Sequence, residues 1–173
     1  MATTHLLNYQ LRPGLVDRLA IGLLALSTDA TVEAEWRNLL ALDGVEFYVG
    51  RVPCDPKINP ATLMTTEYRL SEAARALLPG CTLDVLAYGC TSASLLIGES
   101  RVVETLHAAR PGIPVPPLTA AKAALETLAA HRIALLTPYI FYAAPGPLPA
   151  LAATLEPADD CCLSTPSNRE NRA

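Results

Sequence analysis

Residues Leu83 to Tyr88 read LDVLAY, and Gly89-Cys90-Thr91-Ser92 follow at once. The run is nearly all apolar, as a strand buried on both faces of a parallel sheet requires. Gly89 breaks it, and Ser92 to Ala109 has the make-up of a helix that ends at Pro111-Gly112. A strand that turns directly into a helix is half of a β-α-β unit.

The same alternation extends in both directions. Arg18 to Leu26 (RLAIGLLAL) predicts a buried strand, and Ser27-Thr28-Asp29 supplies turn and cap residues. Thr31 to Leu42 predicts a helix with Val32, Trp36, Leu39 and Leu40 at helical spacing. Val45 to Val52 (VEFYVGRV) is β-branched and aromatic, hence a second strand. Pro53 to Thr65 reads as a polar loop, and Thr66 to Leu78 as a helix stopped by Pro79-Gly80. Downstream, Ile113 to Val115 predicts a short strand, Thr119 to Ala130 a helix, and Arg132 to Leu136 (RIALL) a fifth strand ending at Thr137-Pro138-Tyr139. This order defines an α/β fold with a parallel sheet flanked by helices. Ligands in such folds sit beyond the carboxyl ends of the strands, so the residues just after each strand are where chemistry is expected.

Three segments follow: an N-terminal extension over 1–17, the α/β lobe over 18–140, and a tail over 141–173. The tail holds five of the 15 prolines and the adjacent Cys161-Cys162, and it shows no strand pattern. It is expected to be poorly ordered and reads as a truncated or frame-shifted continuation, with Leu148 to Leu155 as its one short helix.

Composition removes several classes of function. A net charge of -4 provides no basic footprint for nucleic acid. Leu19 to Leu26 is too short to span a membrane, and the first ten residues carry no Lys or Arg, unlike a secretory leader. A soluble, cytoplasmic protein is expected. Five cysteines is an odd number, and without a leader it argues against a disulfide framework. No Cys-x-x-Cys occurs, and His5, His107 and His131 lie far from any cysteine pair, so no metal site is expected. Gly22 and Gly44 fit no phosphate-binding loop, so nucleotide binding is unsupported.

Cys90 is the residue with a chemical setting. It falls where a strand ends and a helix begins, and free backbone N–H groups there favour an anion and lower a thiol's pKa. A thiolate is both a nucleophile and a proton acceptor. Thr91 and Ser92 add donors for a carboxylate or an enediolate, and they also suit the helix as caps. A phosphatase loop would need arginine six residues after the cysteine, where Leu96 stands. Cys81 precedes its strand and belongs to the opposite edge of the sheet, and Cys54 lies in a loop.

Leu83 to Glu99 (LDVLAYGCTSASLLIGE) resembles the N-terminal cysteine motif of the Asp/Glu racemase superfamily, in its maleate cis-trans isomerase and arylmalonate decarboxylase branch. Ile21 to Glu33 (IGLLALSTDATVE) resembles that branch's first strand and loop, and Arg132 to Tyr139 (RIALLTPY) its Thr-Pro-Tyr segment. The Ser-Thr-Asp loop is most similar to that of the ectoine-utilisation members. The resemblance covers roughly residues 18 to 140. It implies that Cys90 is the catalytic thiol of an N-terminal lobe, that Thr91, Ser92 and Tyr139 hold a substrate carboxylate, and that no cofactor is needed. Asp29 matches a loop position that is often Asn in maleate isomerases. An ionised Asp accepts hydrogen bonds but donates none, which argues against maleate itself and would suit a substrate with an amino or other donor group; Asp29 equally suits a helix cap.

The family's second lobe and second Cys-Thr motif have no counterpart here, and Cys161 and Cys162 lack the strand and threonine that would mark it. Two functions therefore stand. One is a cofactor-independent isomerase or racemase acting on a small carboxylic or amino acid, in ectoine catabolism. The other is a catalytically impaired lobe or small-molecule binding domain. A lone lobe would expose apolar surface and self-associate as a homo-oligomer.

Overall fold

The computed structural model describes residues 16–130 and the backbone of two further short strands. Four strands form one parallel sheet: β1 (Leu19–Leu26), β2 (Val45–Val52), β3 (Val85–Tyr88) and β4 (Ile113–Val115), in the order β2-β1-β3-β4. The helices are α1 (Val32–Leu39), α2 (Pro60–Met64), α3 (Thr66–Ala76), α4 (Thr91–Ile97), α5 (Glu99–Ala109) and α6 (Pro117–Thr127). This is the expected α/β architecture, and β2 and β4 keep their expected limits.

Strand alternation builds two layers on the sheet. On one face Leu24, Leu26, Val52, Leu86 and Tyr88 pack with Leu70, Ala74 and Leu77 from the α3 side and with Val102 and Leu106 of α5. Leu24, Val52, Leu70 and Val102 have no exposed surface, and each such side chain contributes about 1.5–3 kcal/mol. On the other face Leu23, Ala25 and Ala87 meet Val32 and Trp36 of α1, and Trp36 stacks on Phe47 with ring centroids 5.7 Å apart. The helical spacing in α1 overstates its buried face, however. Leu39 lies in solvent, because the covering contact ends at Trp36.

Several expectations need correction. The helix expected over Ser92 to Ala109 is two helices, broken at Gly98, whose φ of +93° an L side chain rarely adopts. The loop expected over Pro53 to Thr65 contains α2. There Asn59 Oδ1 accepts the Thr62 N–H, Thr62 Oγ1 accepts the Asn59 N–H, and Pro60 opens the helix. The described part of the fifth strand is not in the main sheet. Arg132–Ile133 (β5) instead pairs in parallel with Glu156–Pro157 (β6), so the 141–173 segment contributes a strand after all. The Ile113 N–H donates inward to Asp84, so the missing N–H of Pro114 falls on the outer edge, where another strand would need it.

Long-range polar contacts close the loops. The guanidinium of Arg110, a buried arginine at the end of α5, donates to the carbonyls of Leu78 and Cys81 and holds the turn between α3 and β3. The N–H of Ala20 donates to Asp84 Oδ2 at 2.7 Å, tying β1 to the entry of β3. No helix among the described residues is long and apolar enough to cross a membrane. The extension through residue 15, the helix expected at Leu148 to Leu155 and the order of the rest of the tail lie outside the described residues.

Candidate active site

At the carboxyl ends of β1 and β3 lies a cleft of about 320 Å³, lined by Leu26, Thr28, Asp29, Ile58, Leu63, Gly89, Cys90, Thr91 and Ser92. Four of the five residues expected in the site, Asp29, Cys90, Thr91 and Ser92, therefore share one cavity. Tyr139 lies outside the described residues, as do Thr137, Pro138, Cys161 and Cys162. A larger hollow of about 590 Å³ between α3 and α5 is spanned by the 2.7 Å ion pair of Arg101 and Glu67 and lies away from the strand ends.

β3 delivers the cysteine. The Gly89 N–H donates to Leu24 O at 2.9 Å and carries the ladder one step past the strand. Cys90 is extended (φ -137°, ψ 100°) and immediately precedes α4, whose Ser94 N–H donates to its carbonyl. The thiol stands 3.8 Å from Ser92 Oγ and is only 6% exposed.

That burial overturns one expectation. The thiol was expected to ionise easily; instead its pKa is pushed above the ordinary value, chiefly because burial penalises the charged form. The Ala93 N–H, the Ser92 hydroxyl and the Tyr88 hydroxyl all favour the thiolate, but they do not outweigh the burial, and Cys54 adds to it.

Asp29 acts as a cap. Its Oδ1 accepts the N–H groups of Thr31 and Val32, both at 2.9 Å, and these bonds, that of Val32 foremost, hold its carboxyl below the usual range. It also lines the cleft, so the capping and binding readings coexist geometrically. Arg51 fixes this loop to β2, donating to Asp29 O at 2.7 Å and to Glu33 Oε2 at 2.6 Å. Ser27 Oγ accepts the Cys54 N–H at 2.9 Å and ties the ends of β1 and β2 together.

Sequence reasoning missed Ile58 and Leu63 as apolar walls of the cleft. The Asn59-Pro60 pair, a cap followed by a proline suited to a first helical turn, was the available signal. Among the described residues no group of three or more His, Cys, Asp or Glu is placed to hold a metal ion.

The fold is similar to part of that of maleate cis-trans isomerases of known structure. The maleate isomerase from Pseudomonas putida S16 superimposes with a TM-score of 0.64 at 20% identity, over 81% of this chain and 62% of that one. A cysteine-to-alanine variant of the same enzyme with maleate matches at 0.60 and 20% identity, over 82% and 62%. A cysteine-to-serine variant of the Nocardia farcinica maleate cis-trans isomerase, with a covalently bound succinylcysteine intermediate, matches at 0.57 and 26% identity, over 79% and 56%. This chain thus spans about three fifths of the length of the isomerases it matches. No family model and no curated protein matches the sequence.

Proposed function

We propose that the cleft binds a small carboxylic or amino acid and that Cys90, as a thiolate, performs a cofactor-independent isomerase- or racemase-type reaction there. One observation carries this reading: the buried thiol, three hydroxyl residues and an ionised carboxylate share a cavity at the strand ends of this fold. The neighbour holding a succinylcysteine adds support, since it shows cysteine addition to a four-carbon diacid on the same architecture.

For a maleate-like substrate, the chemistry balances without a redox partner. The thiolate adds to one alkene carbon and a C–S bond forms. The π pair moves onto the neighbouring carbon, where the adjacent carboxylate stabilises it as an enediolate. Rotation about the resulting single bond, followed by loss of the thiolate, returns the alkene in the other geometry. Thr91 and Ser92 hold the carboxylate, and Tyr139 is assigned the same role from the sequence resemblance. A finer reading is an amino-acid substrate of ectoine utilisation, supported by Asp29, whose ionised carboxylate accepts from a substrate ammonium group.

The test is incubation with maleate, intact mass and peptide mapping for an adduct on Cys90, and detection of fumarate. The adduct and product are expected in the parent and absent in Cys90→Ala. An unmodified parent that forms no fumarate defeats the maleate reading, and the same assay with small amino acids tests the finer one. A second reading, a lobe that binds without turnover, is favoured by the burial that keeps the thiol protonated. It predicts calorimetric binding of a small carboxylate without adduct or product. Self-association is proposed as well, supported by the exposed Leu39, Leu42, Ile113 and Leu128.

A further inference from the structure

Cys90 is not the only reactive group buried at the end of β3. Tyr88, two residues earlier and 2% exposed, packs in the same core cluster. Residues two apart on a strand share a face, so the phenol and the thiol lie on the same side of the sheet. The phenol has a second partner. It donates to Thr66 Oγ1 at 3.0 Å, and that hydroxyl donates to Leu63 O at 2.7 Å. Thr66 is completely buried, and Leu63 lines the cleft. A polar chain thus runs from the α2 carbonyl through Thr66 to Tyr88, beside the thiol.

A phenol carries one proton. With the cysteine neutral, that proton belongs to Thr66. A thiolate competes for it, because hydrogen bonds to a charged acceptor are the stronger ones. We propose that Tyr88 is a positioning residue whose hydroxyl turns from Thr66 to the sulfur when Cys90 ionises, and that Thr66 sets the balance by competing for it. No covalent bond changes in this step; one hydrogen bond is exchanged for another, and Thr66 keeps its own bond to Leu63. The proposal rests on Cys90 being the working thiol.

The groups that bear on the sulfur come from every surrounding element. α4 presents the Ser92 hydroxyl and the Ala93 N–H, β3 presents Tyr88, and the segment after β2 presents Cys54. Asp29 lines the cleft from the β1–α1 loop, Leu63 of α2 forms a wall, and α3 contributes Thr66 behind Tyr88. The hydroxyl of Tyr88 favours the thiolate, which agrees with this role.

The test is the pH profile of iodoacetamide alkylation, read at Cys90 by peptide mass spectrometry so that the other cysteines do not interfere. Tyr88→Phe removes the donor and is expected to raise the midpoint by about one pH unit, the size that a hydrogen bond to a charged group implies. Thr66→Val removes the competitor and is expected to lower the midpoint, while Thr66→Ser keeps the parent's value. A merely structural role would leave both midpoints unchanged or move them together, and either result overturns the proposal. Should Tyr88→Phe fail to fold, the sign of Thr66→Val decides alone. Alkylation needs no turnover, so these shifts without a maleate adduct would reject the maleate reading and keep the positioning role. An adduct without the shifts would do the reverse.

Discussion

The sulfur of Cys90 and the hydroxyl oxygen of Ser92 stand 3.8 Å apart, across the first turn of α4. The contact favours the thiolate and works against burial. Ser92→Ala is therefore expected to slow alkylation of Cys90 at mildly alkaline pH by about threefold to tenfold, less than a well-formed bond to a charged group is worth, because the contact is long. Thr91→Ala, which touches the cleft but is not among the groups acting on the thiol, should change the rate far less. Rate measurement by peptide mass spectrometry checks both.

Burial of the thiol makes stability depend on alkaline pH, and the sign follows from linkage. The folded state holds the Cys90 proton more tightly than the unfolded chain, whose thiol keeps its ordinary value of 9.0. Its contribution is complete below 9.0 and is lost as pH rises through the higher folded value. Urea denaturation at increasing pH should show a fall above 9.0 that is shallower in Cys90→Ser. Tyr88, also pushed up by burial, adds a second fall at higher pH, which Tyr88→Phe removes.

Asp29 works in the opposite direction. Its carboxyl is held below the ordinary 3.8 by the N–H groups it caps, so its contribution is present above 3.8 and is lost as pH falls through the lower folded value. Asp29→Ala should cost about 1 kcal/mol at neutral pH, the usual loss for a helix cap. Asp29→Asn should cost less, since an amide oxygen still accepts both bonds. Chemical denaturation at neutral and acid pH separates the two variants, and equal losses would show that the charge, not the cap, matters.

Gly112 carries a backbone constraint. Its φ is +135°, and an added Cβ would stand 2.8 Å from the carbonyl oxygen of Leu83. Neither the strain nor the clash can be relieved by a side-chain rotation, so Gly112→Ala is expected to cost about 1–3 kcal/mol. Thermal melting checks this; an unchanged Tm would mean that the turn into β4 is free to move.

Much of the lobe was legible in the sequence, for identifiable reasons. Val45 to Val52 is bounded by Gly44 and Pro53 and rich in β-formers, and the strand has those limits. Asp29, Cys90, Thr91 and Ser92 were legible as neighbours because a parallel sheet brings the residues after its strands to one edge. The break at Gly98 was not legible, since one glycine in a helical pattern is often tolerated. Nor was the pairing of β5 with β6, because the two segments lie far apart in the chain.

By itself, the sequence determined the β-α-β order, the parallel sheet and the position of Cys90 between a strand and a helix. These depend on local periodicity and on turn residues, which act over a few neighbours. Only the tertiary structure decided the state of the thiol. Whether it is easily ionised depends on how much water it loses and which distant groups reach it, and Leu63, Thr66 and Tyr88 meet beside Cys90 only through packing. A helix start alone argued for an acidic thiol; the burial that comes with the folded core reverses the sign.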